Sequence, residues 1–161
     1  MKRKIMIIMF CLFFMTGCSH GTGSFEKGDL DLNAFFTDIN KQIGEETFHM
    51  PLLNDQAWSK KDVEKKYHMD MTILEDCMVK SSLVDLQTAE IAIFKAPKEK
   101  DAQISKGIRY RLDTLHKSSG SYNEEIKNWI HNAKQGRIGE YYYFVLGEDS
   151  EKVVNYMKNG A

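Results

Sequence analysis

The run Glu90-Ile91-Ala92-Ile93-Phe94-Lys95-Ala96, stopped by Pro97, constrains the fold of this chain more than any other segment. Side chains alternate along a strand, so Ile91, Ile93 and Lys95 share one side while Ala92 and Phe94 share the other. Apolar residues on both sides predict an interior position in a sheet. Pro97 cannot donate to a ladder and ends the strand. Leu74 to Ser81 reads as a second strand, with Cys77 and Val79 on one face and Met78 on the other. Tyr141 to Leu146 reads as a third, closed by Gly147. Lys134 to Ile138 offers room for an extra short strand.

Between and around these runs the apolar period is helical. Leu32, Phe35, Phe36, Ile39 and Ile43 fall on one face, with Asp31 or Asp29 as N-cap and Gly44 as the stop. Lys60 to Tyr67 predicts a short helix capped by Ser59, with Asp62 in its first turn and a lysine-rich side facing water. The longest helix is expected over Asp101 to Lys117. Its stripe is Ile104, Ile108, Leu112 and Leu115, with Arg109, Arg111 and Lys117 elsewhere on its surface. Glu124 to Ala133 carries Ile126, Trp129 and Ile130. Ser150 to Lys158 carries Val153, Val154 and Met157, with Asp149 or Ser150 as its cap. The order α-α-β-β-α-α-β-α predicts an α+β domain. Its sheet should be small and largely antiparallel, with three or four strands and helices packed on one face.

The N-terminus carries a different message. Lys2-Arg3-Lys4 precedes an apolar block from Ile5 to Phe14, and Met15-Thr16-Gly17-Cys18 follows. A basic head, a short apolar segment and small residues before a cleavage point make an export signal. Ending on cysteine in a lipobox-like context, it predicts cleavage before Cys18 and acylation of that thiol with diacylglycerol carrying palmitate-like chains. The block is far shorter than the roughly 18 apolar residues of a spanning helix, which weighs against an uncleaved anchor. Two acyl chains at about 0.8 kcal/mol per buried methylene suffice for stable attachment. The expected organisation is a signal over residues 1–17, a lipidated, Gly- and Ser-rich tether over 18–29 and one α+β domain over 30–161. The expected address is the extracytoplasmic face of the cell membrane.

Composition narrows the chemistry. Losing Lys2, Arg3 and Lys4 takes the formal net charge from −1 to −4, which argues against nucleic-acid binding. Cys11 leaves with the signal and Cys18 carries lipid, so Cys77 is left without a disulfide partner and reads as a buried thiol. Asp29-Leu30-Asp31-Leu32-Asn33 opens like a calcium loop. It has Ala34 where glycine is needed and Asn40 where glutamate is needed, so it is rejected. The pairs Glu45-Glu46 and Glu124-Glu125 point apart at i,i+1 spacing and read as solvated. His20, His49, His68, His116 and His131 show no metal-binding spacing, although His116 and His131 flank one loop and could meet in the fold. No catalytic, metal or cofactor residues are assigned and no cofactor is expected. Tyr141, Tyr142 and Tyr143 are the candidate binding surface: alternation sends some of them to the core and leaves the others to line a groove.

Two segments carry a family resemblance. Ala89-Glu90-Ile91-Ala92-Ile93-Phe94-Lys95-Ala96, followed by a long charged helix, resembles the central strand and helix of bacterial lipoproteins that carry domain of unknown function 4358, found largely in Firmicutes. Gly139-Glu140-Tyr141-Tyr142-Tyr143-Phe144-Val145-Leu146-Gly147-Glu148-Asp149 resembles their closing strand, acidic turn and final helix. The similarity would run from Leu30 to Lys158. It implies fold and address, and it supplies no catalytic residues. The leading expectation is a non-enzymatic binding or accessory module of the cell envelope, held to the membrane through Cys18, with an envelope protein or a small ligand as partner. The alternatives are an envelope-polymer hydrolase using dispersed acids or histidines, and a structural subunit pairing through a sheet edge.

Overall fold

The computed structural model describes residues 23–83 and 88–159. Cys18 and His20, with the whole segment read as signal and lipobox, lie outside the described residues. The elements are α1 (Leu32–Gly44), α2 (Lys60–Tyr67), β1 (Asp76–Ser81), β2 (Glu90–Lys95), α3 (Asp101–Ser118), α4 (Glu124–His131), β3 (Lys134–Ile138), β4 (Tyr141–Leu146) and α5 (Ser150–Asn159). Three helices start where a short polar side chain takes up an orphan N–H. Asp31 accepts from Ala34, Ser59 from Asp62 and Asn123 from Ile126. The segment expected as strand from Leu74 begins at Asp76, after a single 3-10 turn over Met71–Ile73.

The four strands form one antiparallel sheet in the order β1-β2-β4-β3. β2 is interior, as its two apolar faces predict, and so is β4. Met78, Ile93, Tyr143 and Gly136 stand in one transverse row, and Cys77, Phe94, Tyr142 and Arg137 in the next. Gly136 is where the ring of Tyr143 crosses β3: a Cβ there would meet the Tyr143 hydroxyl at 2.6 Å.

The α+β class and the antiparallel sheet agree with the sequence reading. The helices, expected on one face, cover both. Ile91, Ile93, Tyr141, Tyr143 and Val145 pack against α1, α5 and the chain around Phe25, Leu30 and Phe48. Ala92, Phe94, Tyr142, Phe144 and Leu146 pack against α2, α3 and α4. The reason is in the strands. All six residues of β4 and the first five of β2 are buried, and an apolar face left to water forfeits about 25 cal/mol per Å².

Three close approaches fix the outer parts. The outer edge of β1 is taken by the preceding chain, since Asn54 and Trp58 donate backbone N–H groups to the carbonyls of Ser81 and Val79 at 2.8 and 2.9 Å. Such cover removes an edge that could pair with another chain. Helix α3 lies so near the end of α2 that a Cβ on Gly107 would sit 2.5 Å from Met69 Cε and 3.1 Å from the Tyr67 carbonyl oxygen. At the N-terminus Phe25, only 2 % exposed, meets Phe35 and Tyr141 edge-on at 5.2 and 5.4 Å between ring centroids. Of the tether expected over 18–29, the described part from Gly23 to Asp29 is packed against the domain by Phe25. Among the described residues no helix is long and apolar enough to cross a membrane.

Candidate functional site

Two of the clefts beside α3 lie near opposite ends of the sheet. The first is built around Glu90, the opening residue of β2, which is 1 % exposed. Arg111 reaches across from α3. Its Nε donates to both carboxylate oxygens at 3.2 Å and its Nη2 to Oε2 at 2.5 Å. The Tyr67 hydroxyl donates to Oε1 at 2.6 Å. Burial, then the charge of Glu90 and the hydrogen bond to it, hold the Tyr67 phenol well above the usual tyrosine range. Burial opposes the charge on Arg111 and Glu90 outweighs it, so its pKa is raised. Above the pair, Arg111 and Lys66 lie 5.4 and 4.7 Å from the centroid of the Trp58 ring. The indole N–H donates to Ser81 Oγ at 3.0 Å. With Tyr122, these groups line a polar cleft of ≈ 160 Å³.

The second cleft, ≈ 320 Å³, lies between the first half of α3 and the β3–β4 ladder. Asp101, Ser105, Ile108 and Arg109 form the helix side, and Gln135, Gly136, Arg137 and Tyr142 the sheet side. Arg137 stands opposite Tyr142 in the register, with its guanidinium 5.3 Å from the ring centroid. Both arginines are exposed, and among the described residues neither has a carboxylate partner within salt-bridge distance. Tyr142 is 2 % exposed, and its hydroxyl has no partner within hydrogen-bond distance. Burial raises its pKa, Arg137 opposes that, and the nearby acids Asp101 and Glu99 add to it, so the group is a phenol that can donate.

The residues singled out from sequence fall elsewhere or take other roles. Tyr141, Tyr142 and Tyr143 are all buried, because helices cover both faces of β4. Tyr141 spends its hydroxyl accepting the Leu30 N–H at 3.1 Å. Tyr142 reaches the arginine cleft, and Tyr143 lines a shallow depression against α5. Arg111, expected on the surface of the long helix, is instead drawn in by Glu90. Cys77 is partly buried, and burial, then Asp76, push its thiol pKa up, which disfavours the reactive thiolate. Glu45, Glu46, Glu124 and Glu125 are exposed. No hydrogen bond or ion pair joins His116 to His131 among the described residues, and no group there could hold a metal ion. The sequence reading missed Glu90, Tyr67 and Arg111. The available signal was an acid inside a strand otherwise read as interior, which demands a cation from another element.

No curated protein and no solved structure matches the chain at a significant level. A family model described as a domain of unknown function (DUF4358) matches residues 50–147. That is narrower than the Leu30 to Lys158 suggested by the strand motifs: it takes in the sheet, α2, α3 and α4, and both clefts, and leaves out α1 and α5. Covering more than half of the sequence, the match places the chain in the DUF4358 family.

Proposed function

We propose that this protein is a lipid-anchored, extracytoplasmic module that binds a component of the cell envelope and catalyses no reaction on it. Cys18 carries the anchor, and the domain presents its α3 side to a small ligand or an envelope protein. The observation that carries the reading is the state of Glu90. It is the buried carboxylate among the described residues, and Arg111 and Tyr67 occupy its oxygens. A general acid or base must reach the proton it moves. Glu90 faces its own partners, and the exposed acids Glu45, Glu46, Glu124 and Glu125 sit at the ends of two different helices.

The anchor is tested by Cys18→Ser in the full chain, followed by membrane fractionation and the size of the product. The expected outcome is release from the membrane fraction or accumulation of uncut precursor. Normal signal removal with undiminished membrane retention would sink the anchor. Crosslinking and pull-down from intact cells then tests the binding role. A partner or ligand recovered with the parent chain supports it, and a purified protein that turns over an envelope polymer replaces it with an enzyme.

A further inference from the structure

We infer that the cleft between α3 and the β3–β4 ladder is a binding site for a monoanionic phosphodiester group. The inference deepens the binding-module reading and rests on it for the protein's role, while the chemistry of the cleft stands on the structure.

Arg109 comes from a helix, Arg137 from an edge strand and Tyr142 from the neighbouring interior strand. The elements that hold them are fixed by packing that has nothing to do with the cleft. Ile104 and Leu115 bury one side of α3, and Phe94 and Phe144 lie on the same sheet face as Tyr142. An unpaired buried hydroxyl costs about 1–3 kcal/mol. Here two guanidinium groups without a carboxylate partner line one concavity with a buried phenol, whose facing acceptor, the Asp101 carboxylate, lies beyond hydrogen-bond distance. Each of these groups can donate a hydrogen bond.

The arrangement of donors selects the anion. A planar carboxylate is satisfied by one arginine fork. Donors arriving from three separate elements suit a tetrahedral centre, whose oxygens point in different directions. Asp101, on the same cleft wall, sets the charge. Two guanidinium groups and the Asp101 carboxylate leave a single net positive charge on the cleft wall, and Glu99 nearby lowers it further, so the cleft suits a monoanion such as a phosphodiester and disfavours a dianionic monoester. Ser105 and Gln135 add neutral polar groups. At ≈ 320 Å³ the cleft is at the low end of small-ligand sites, so it would hold the phosphodiester and its immediate substituents, not a long polymer segment.

A phosphodiester of this kind could belong to a soluble or polymeric envelope ester or to a lipid headgroup, and the test separates them. The full chain is held in an uncharged detergent, and the Nε–H resonances of Arg109 and Arg137 are followed by NMR. Three probes are titrated: dimethyl phosphate, acetate, and phosphatidylglycerol doped into the micelle. The expected result is saturable movement of both arginine signals with a phosphodiester probe, at least fivefold tighter than with acetate. Response to dimethyl phosphate identifies a site open to soluble esters, and response to the doped micelle alone identifies a headgroup site. Arg109→Gln and Arg137→Gln should each weaken binding at least fivefold with an unchanged thermal midpoint. Tyr142→Phe should weaken it two- to fivefold, a loss that a purely structural tyrosine would not produce. Equal response to acetate, unweakened binding in Arg109→Gln or Arg137→Gln read at the arginine that remains, or no saturable response to any probe overturns the inference. Any of these failures leaves the Cys18 anchor test untouched, so the two readings fall separately.

Discussion

A carboxylate at the first position of an interior strand has to be neutralised or matched, because an isolated buried charge is among the most expensive things a fold can contain. In this protein Glu90 is matched twice, by the Arg111 fork and by the Tyr67 hydroxyl. The pair adds little to stability when intact, since desolvation offsets most of the attraction, but removing one partner leaves the other uncompensated. Glu90→Gln keeps the shape and takes away the charge. It should cost about 3–5 kcal/mol, read as a fall in the urea midpoint at unchanged slope. A variant that unfolds within about 0.5 kcal/mol of the parent would show that Arg111 finds water or another acceptor and that the tie is not structural. Arg109, two positions earlier on α3, behaves differently for a geometric reason. Residues two apart on a helix point about 200° away from each other, so one arginine turns to Glu90 and the other to the cleft beside β3.

At the scale of elements, α1 and α2 were legible because their signals are local. An apolar stripe at helical spacing and a short polar cap need no knowledge of the rest of the fold, and Asp31 and Ser59 cap their helices as expected. β3 was harder. Lys134-Gln135-Gly136-Arg137-Ile138 has little strand character of its own and exists as a strand because β4 offers it a ladder. The helices on both faces were readable in principle from β2, since Ile91 and Ile93 need one cover and Ala92 and Phe94 another. The site was not readable: Glu90 and Arg111 are joined by a crossover that only the folded sheet defines, and Arg109 and Arg137 belong to elements that are not neighbours in sequence. The tightest joint between elements is at Gly107, where α3 meets Met69 and the Tyr67 carbonyl. Alanine would gain about 1 kcal/mol of helix propensity and lose about 1–3 kcal/mol to overpacking. Because one neighbour is backbone, the loss should win, and Gly107→Ala should lower the thermal midpoint. A rise in midpoint would mean that Met69 yields and the helices separate freely.

For the molecule as a whole, phenols set the alkaline limit. Tyr67, Tyr142, Tyr143 and Tyr156 all have pKa values raised by burial, with Glu90 adding to the shift of Tyr67 and a hydrogen bond to Asp38 adding to that of Tyr156. Unfolded tyrosine ionises near about 10. The folded state holds these protons more tightly, so their contribution is complete below that pH and is lost as pH climbs towards the folded values. The thermal midpoint should be flat with respect to these groups through neutrality and fall above about pH 10. The fall should be shallower in Tyr67→Phe, and identical slopes in the two proteins would exclude Tyr67 as a contributor. The seam at the N-terminus bears on a different question, that of orientation. Gly28 gives its carbonyl to Lys95 Nζ at 2.9 Å, and a Cβ on Gly139 would strike the Phe25 carbonyl at 2.3 Å, so the incoming chain is fastened at the end of the sheet marked by Lys95 and Tyr141. Cys18 and Gly23 are five residue steps apart in the numbering, and five extended steps reach no farther than about 18 Å. On the proposed anchor the domain has an inner pole and an outer pole. Arg137 and Tyr142, one register step from the fastened end, look towards the headgroups, while Glu90, Arg111 and Trp58 look away from the bilayer, towards whatever passes above it.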